Sequence, residues 1–154
     1  MITVADLLRP DHIALQLRAT DPKSAIDEVA GLLKNVPEVL DFPALLKGVH
    51  SSAPCLPEPG GGFAICIPHT RGECVSEMVM SVGRSETGIV FPNVEVPVRY
   101  IFCIAVPRAL AADYLRIVGL LARVFKDRSA EAELRAAATG ADFIDLLSRR
   151  EAKL

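Results

Sequence analysis

Gly60-Gly61-Gly62-Phe63-Ala64-Ile65-Cys66-Ile67-Pro68-His69-Thr70-Arg71-Gly72 is the stretch from which the fold of this chain is read. A glycine-rich loop runs into a short apolar strand at 63–67, and Pro68 stops it. Proline lacks an N–H and fixes φ, so it ends regular pairing and holds the next residue at the strand's rim. That residue is His69, an imidazole facing solvent or a cleft, able to carry a proton, a metal or a phosphoryl group near neutral pH. The preceding segment, 51–62, with prolines at 54, 57 and 59, reads as a loop. Long ordered loops beside a strand end often carry function.

Working outward toward the C-terminus, residues 75–83 alternate as a strand, and 88–96 is turn-rich around Pro92-Asn93. Residues 98–106 are apolar on both faces, which places that strand centrally between two covering layers. Pro107 ends it. Asp113 is the expected cap of a helix over 114–126, with Tyr114, Ile117, Val118, Leu121 and Phe125 on one stripe. Two shorter helices are predicted over 130–138 and 141–150, separated at Gly140. Toward the N-terminus, Asp41-Phe42-Pro43 starts a helix that runs to about Val49, with His50 suited to its negative C-terminal end. Asp21-Pro22-Lys23-Ser24 starts another, ended by Pro37. Residues 12–17 alternate as a strand with His12 on the solvated side, and 2–8 form a short amphipathic opening. Helices lead, strands follow and helices return. This order predicts an α/β single-domain sandwich over 1–154, a central mixed sheet with helices on both faces.

With 51% hydrophobic residues and a mean hydropathy of +0.33, the chain can bury a substantial core and offers apolar surface for a homo-oligomer. Net charge of −2 argues against nucleic acid as a partner. No apolar run is long enough to insert into a membrane, and no basic-then-apolar leader opens the chain, so a cytoplasmic location is expected. Cys55, Cys66, Cys74 and Cys103 form no C-x-x-C pair and are read as reduced thiols. Cys66, His69 and Cys74 match no common zinc spacing, so neither a metal nor a cofactor is expected.

Ala64-Ile65-Cys66-Ile67-Pro68-His69 resembles the G-I-A-I-P-H signature of type-2 EIIA domains. These belong to the bacterial phosphoenolpyruvate-dependent phosphotransferase system, in its fructose/mannitol and nitrogen-regulatory branches. The likeness extends in family order through Leu7-Leu8, the helix from Ser24, the strand at 102–107, Leu120-Leu121-Ala122-Arg123 and the closing helices at 134–147. It implies that His69 accepts a phosphoryl group from the histidine of a small phosphocarrier protein. The group then passes to a sugar-transporter subunit or stays as a regulatory mark. Arg71 and the backbone amides of Gly61 and Gly62 are the candidate hydrogen-bond donors to the phosphoryl oxygens. An ungapped count puts Ala53, Glu58 and Pro59 where the family carries an arginine and a Ser/Thr-Gly pair. It puts Tyr114 in place of a second family histidine. Tyrosine donates one hydrogen bond but does not become a cation. A gap in the loop would bring Ser51 or Ser52 into the vacant place, with Arg71, Arg84 or Arg108 supplying charge. Two further readings stand beside this one. One is a divergent EIIA-like regulatory module with weak or no phosphotransfer. The other is a small-molecule or nucleotide sensor built on the glycine loop and the His69 cleft.

Overall fold

The structure, a computed structural model, describes residues 1–154. Six strands form one sheet: β1 (Ile13–Ala14), β2 (Cys55–Pro57), β3 (Ala64–Cys66), β4 (His69–Arg71), β5 (Val79–Ile89) and β6 (Val98–Val106). The order is β1-β5-β6-β3-β2, with β4 also on β6. Pairing is mixed: β5 lies antiparallel to β6, whereas β3 and β4 lie parallel to it. As its composition predicts, β6 is the central strand, and every residue in it except Arg99 is buried.

Side chains alternate across a strand, so β6 feeds two cores. Tyr100, Phe102, Ile104 and Val106 face α3 (Ala111–Lys126), α4 (Arg128–Ala136) and α5 (Gly140–Glu151). Val98, Cys103 and Ala105 face α1 (Pro22–Gly31) and α2 (Phe42–Ser51). Helices thus cover both faces of a central mixed sheet, the α/β sandwich read from the order of elements.

Helix starts follow their caps. The Asp21 carboxylate accepts from the Ser24 N–H at 3.0 Å, and that of Asp41 from the Ala44 N–H at 3.1 Å. Asp127 closes α3 and caps α4, so the expected 127–129 turn is a single residue. Asp113 does not cap α3. The helix begins at Ala111, with Leu110 at its N-cap and no side-chain acceptor there. Pro37 does not end α1, which stops at Gly31.

Four further expectations are corrected by tertiary contacts. The 51–62 segment is not all loop: Cys55–Pro57 pairs antiparallel with β3. As the outermost strand, β2 tolerates proline where an inner strand would not. Pro68 interrupts the strand without ending its run along β6, because the chain resumes pairing there as β4. β5 starts four residues later than predicted and runs to Ile89. His12 is not solvated: it ends a 3-10 turn (Pro10–His12) and is buried at 7% exposure. His50 stands in the last turn of α2, as expected, and also bonds the Asp27 carboxylate of α1, tying the two helices together.

Candidate functional site

The 52–58 segment runs antiparallel to 63–69, and one register governs the whole length. Cys55 opposes Cys66, the Ile67 N–H reaches the Pro54 carbonyl at 2.8 Å, and the His69 N–H reaches the Ser52 carbonyl at 2.9 Å. The turn is built by Pro59 and Gly60, closed by the Gly61 N–H on the Glu58 carbonyl at 3.0 Å. Gly60 and Gly62 both stand at φ +73°, a left-handed conformation that glycine adopts at little cost. This turn fixes the register, and the register places Ser52 directly opposite His69.

The His69 ring is held at three places. Its Nδ1–H donates to the Ile67 carbonyl at 3.0 Å. A carbonyl only accepts, so the proton resides on Nδ1 and Nε2 presents an unprotonated lone pair. The Ser52 hydroxyl meets that Nε2 at 3.3 Å. Tyr114 of α3 packs on the ring, centroids 4.7 Å apart and planes tilted by 32°. Ser52 is thus the site residue that the ungapped count missed, and the hairpin inside the loop is the reason.

His69, Arg71 and Tyr114 line one open cavity of about 550 Å³, with Ser51, Ser52 and Thr70 among the other walls. Their shared face follows from pairing. His69 and Arg71 lie opposite Ile104 and Val106, which face α3, while Thr70 points toward α2. There the Thr70 Oγ1 would lie 2.1 Å from a Cβ on Gly48, so a glycine lets α2 approach the strand. Ala111 also lines the cavity, so the uncapped start of the 16-residue helix α3 lies at its wall. Backbone N–H groups at such a start carry partial positive charge. Burial pushes the Tyr114 hydroxyl above its usual range, keeping it a neutral donor at neutral pH.

Gly61 and Gly62 do not join this site. Gly62 precedes His69 by seven residues of largely extended chain, roughly 20 Å. Gly61 lines a different, smaller cavity of about 170 Å³ with Glu58, Lys126, Arg128 and Glu131. The glycines act as a turn, and Arg128 donates to the Gly60 carbonyl at 3.0 Å. Glu58 is likewise away from His69, so it repels nothing there. Burial pushes its carboxyl up, with Lys126 pulling the other way. Arg84 serves structure by donating to the carbonyls of Leu15, Leu134 and Ala137. Arg108 is exposed in the turn after β6 and is not among the residues lining the cavity.

Residues 6–150 match the family model of the phosphoenolpyruvate-dependent sugar phosphotransferase system, EIIA 2. The chain belongs to this family. A nitrogen regulatory protein of Bradyrhizobium diazoefficiens is 25% identical to this EIIA domain over 137 residues, 86% of each chain. A fructose-specific EIIA component of Haloferax volcanii is 38% identical over 65 residues, a span of 42% of either protein. The nitrogen regulatory protein IIA-Ntr of Neisseria meningitidis superposes with a TM-score of 0.78 at 21% identity, over 94% of this EIIA domain and 98% of that chain. This last likeness speaks for the fold.

Proposed function

We propose that this EIIA domain carries a phosphoryl group on Nε2 of His69. The group comes from the phosphohistidine of a small phosphocarrier protein and goes to a transporter subunit, or remains as a regulatory mark. Family membership supports phosphotransfer or its regulation in general. The observation that carries the assignment to one atom is the Nδ1–H bond to the Ile67 carbonyl, which leaves Nε2 as the nucleophile at an open cavity.

In the transfer, a bond from Nε2 to phosphorus forms in line as the donor's N–P bond breaks. The His69 ring keeps its Nδ1 proton and becomes cationic, and the Ile67 carbonyl accepts that proton's hydrogen bond throughout. Charge on the phosphoryl oxygens is met by the Arg71 guanidinium, the Ser52 hydroxyl and the first N–H groups of α3. Tyr114 holds the ring plane and offers a neutral hydroxyl. The domain works in the cytoplasm, where its donor and acceptor proteins reach the open face.

The test is phosphorylation by a phosphorylated phosphocarrier protein, followed by phosphorus NMR in alkali. The expected product is acid-labile 3-phosphohistidine, the Nε2 isomer, absent in His69→Ala. Label surviving in His69→Ala, or the 1-phosphohistidine isomer in the wild type, would overturn the assignment. The cavity wall carries Arg71 as its one lysine or arginine, and Tyr114 at the place where the family resemblance implies a second histidine. That thinner positive surround favours a second reading, a regulatory module with weak transfer. A wild-type chain that binds the phosphocarrier but takes no label would establish it.

A further inference from the structure

The register that pairs Ser52 with His69 also pairs two cysteines. Cys55 of β2 and Cys66 of β3 are direct antiparallel partners. The pairs on either side of them alternate in kind. Pro54 and Ile67 share a backbone hydrogen bond, as do Glu58 and Phe63 at the other end of the ladder. Counting inward in steps of two, Leu56–Ile65 is a hydrogen-bonded pair and Cys55–Cys66 falls between two such pairs. Non-hydrogen-bonded antiparallel pairs bring their Cα atoms to about 4.5 Å, with both side chains on one face. That spacing lies inside the window a disulfide accepts. Both sulfurs already converge: Sγ of Cys55 lies 3.9 Å and Sγ of Cys66 lies 3.6 Å from the same Ala53 carbonyl oxygen.

The two thiols differ in access and acidity. Cys66 is fully buried, whereas Cys55 is half-buried on the outermost strand and lines an open cavity of about 580 Å³ beside Lys23 and His50. Interaction with the neighbouring thiol pulls Cys55 below its usual range and, together with burial, pushes Cys66 up. Cys55 is therefore the entry thiol and Cys66 the resolving one. The other cysteines lack this arrangement. Cys103 lies opposite Ser81 and burial pushes its thiol up to about 12, while Cys74 is buried outside the strands.

We propose that Cys55 and Cys66 are an oxidative modification site that closes to an intrachain disulfide by exchange with a small disulfide such as oxidised glutathione. The Cys55 thiolate attacks one glutathione sulfur, breaking its S–S bond and expelling a glutathione thiolate. Cys66 then gives up its proton, and its sulfur attacks Cys55 Sγ, expelling the second glutathione thiolate. Two electrons and two protons leave the protein, and one small disulfide becomes two thiols. The new bond lies three residues along each strand from Ser52 and from His69, so it clamps the register that sets their contact. The proposal stands on strand pairing and does not depend on what His69 carries.

The experiment treats the native chain with oxidised glutathione, alkylates the remaining thiols in denaturant and digests with trypsin. Cleavage after Lys47 and Arg71 leaves Cys55 and Cys66 on one peptide, free of Cys74 and Cys103. The expected result is that peptide two hydrogens lighter and unalkylated, restored by dithiothreitol, with Cys74 and Cys103 alkylated. Cys66→Ala is expected to stop at a glutathione adduct on Cys55. Four alkylated thiols in the treated wild type, a wild-type adduct that never resolves, or a bond involving Cys74 or Cys103 would overturn the proposal. So would a Cys66→Ala chain that takes no adduct at Cys55.

Discussion

At His69 the unprotonated nitrogen is chosen by a backbone carbonyl, and charge near it comes from few sources. Arg71 is exposed and lines the cavity, so the role proposed for it is electrostatic and not a matter of packing. Arg71→Gln should slow phosphoryl transfer by roughly ten- to a hundredfold, with stability unchanged. Single-turnover transfer rates and a denaturant titration check both parts. Glu58 offers a separate residue-scale test. Its folded-state carboxyl is shifted upward by burial, so the charged form is penalised in the native state. The stability linked to this group is present below its unfolded pKa and is lost as pH rises through the raised folded value. Glu58→Gln should therefore stabilise the chain at neutral pH, and the gain should vanish in acid, near or below about pH 4. Urea titrations at the two pH values measure it. A gain that persisted in acid would assign the effect to packing instead.

At the scale of elements, the hairpin from Ser52 to His69 and the close approach of α2 assemble the site. Gly48 is the contact on which that approach depends, because Thr70 occupies the space a Cβ would need. Gly48→Ala should force α2 from β4 and cost roughly 1–3 kcal/mol in stability. It should also lower transfer, since Ser52 immediately follows the last residue of α2. Chemical denaturation and the same transfer assay test this together. The sequence made several elements legible here: the Asp-Pro starts of α1 and α2, and the whole of β6. It did not reveal β2, because Cys55-Leu56-Pro57 has neither length nor alternation. Only the exposed edge of β3 makes three such residues a strand.

For the whole molecule, the two cores on either side of β6 account for most buried apolar side chains, and few large ones are left outside. Leu40, Val90 and Leu115 are the exposed examples away from the termini. Leu115 is 68% exposed and lines the His69 cavity, which the proposed transfer would present to a donor histidine. Leu115→Glu should raise the KM for a phosphocarrier protein roughly tenfold while leaving Tm unchanged. An unaltered KM would place docking on another face. The expectation of a homo-oligomer rested on apolar richness, and much of that richness is spent in the two cores.

The sequence by itself determined the layered α/β class, the central strand, most helix starts and the placement of His69 directly after a proline that interrupts a strand. Those are local facts, set by periodicity, capping and the covalent limits of proline. Tertiary structure alone decided the company His69 keeps. Ser52 arrives through a hairpin register, Arg71 by sharing a strand face, Tyr114 through the packing of α3, while the glycines are carried off to the far turn. Such neighbours depend on which strands pair and in what register, and pairing energy is spread over residues distant in the chain.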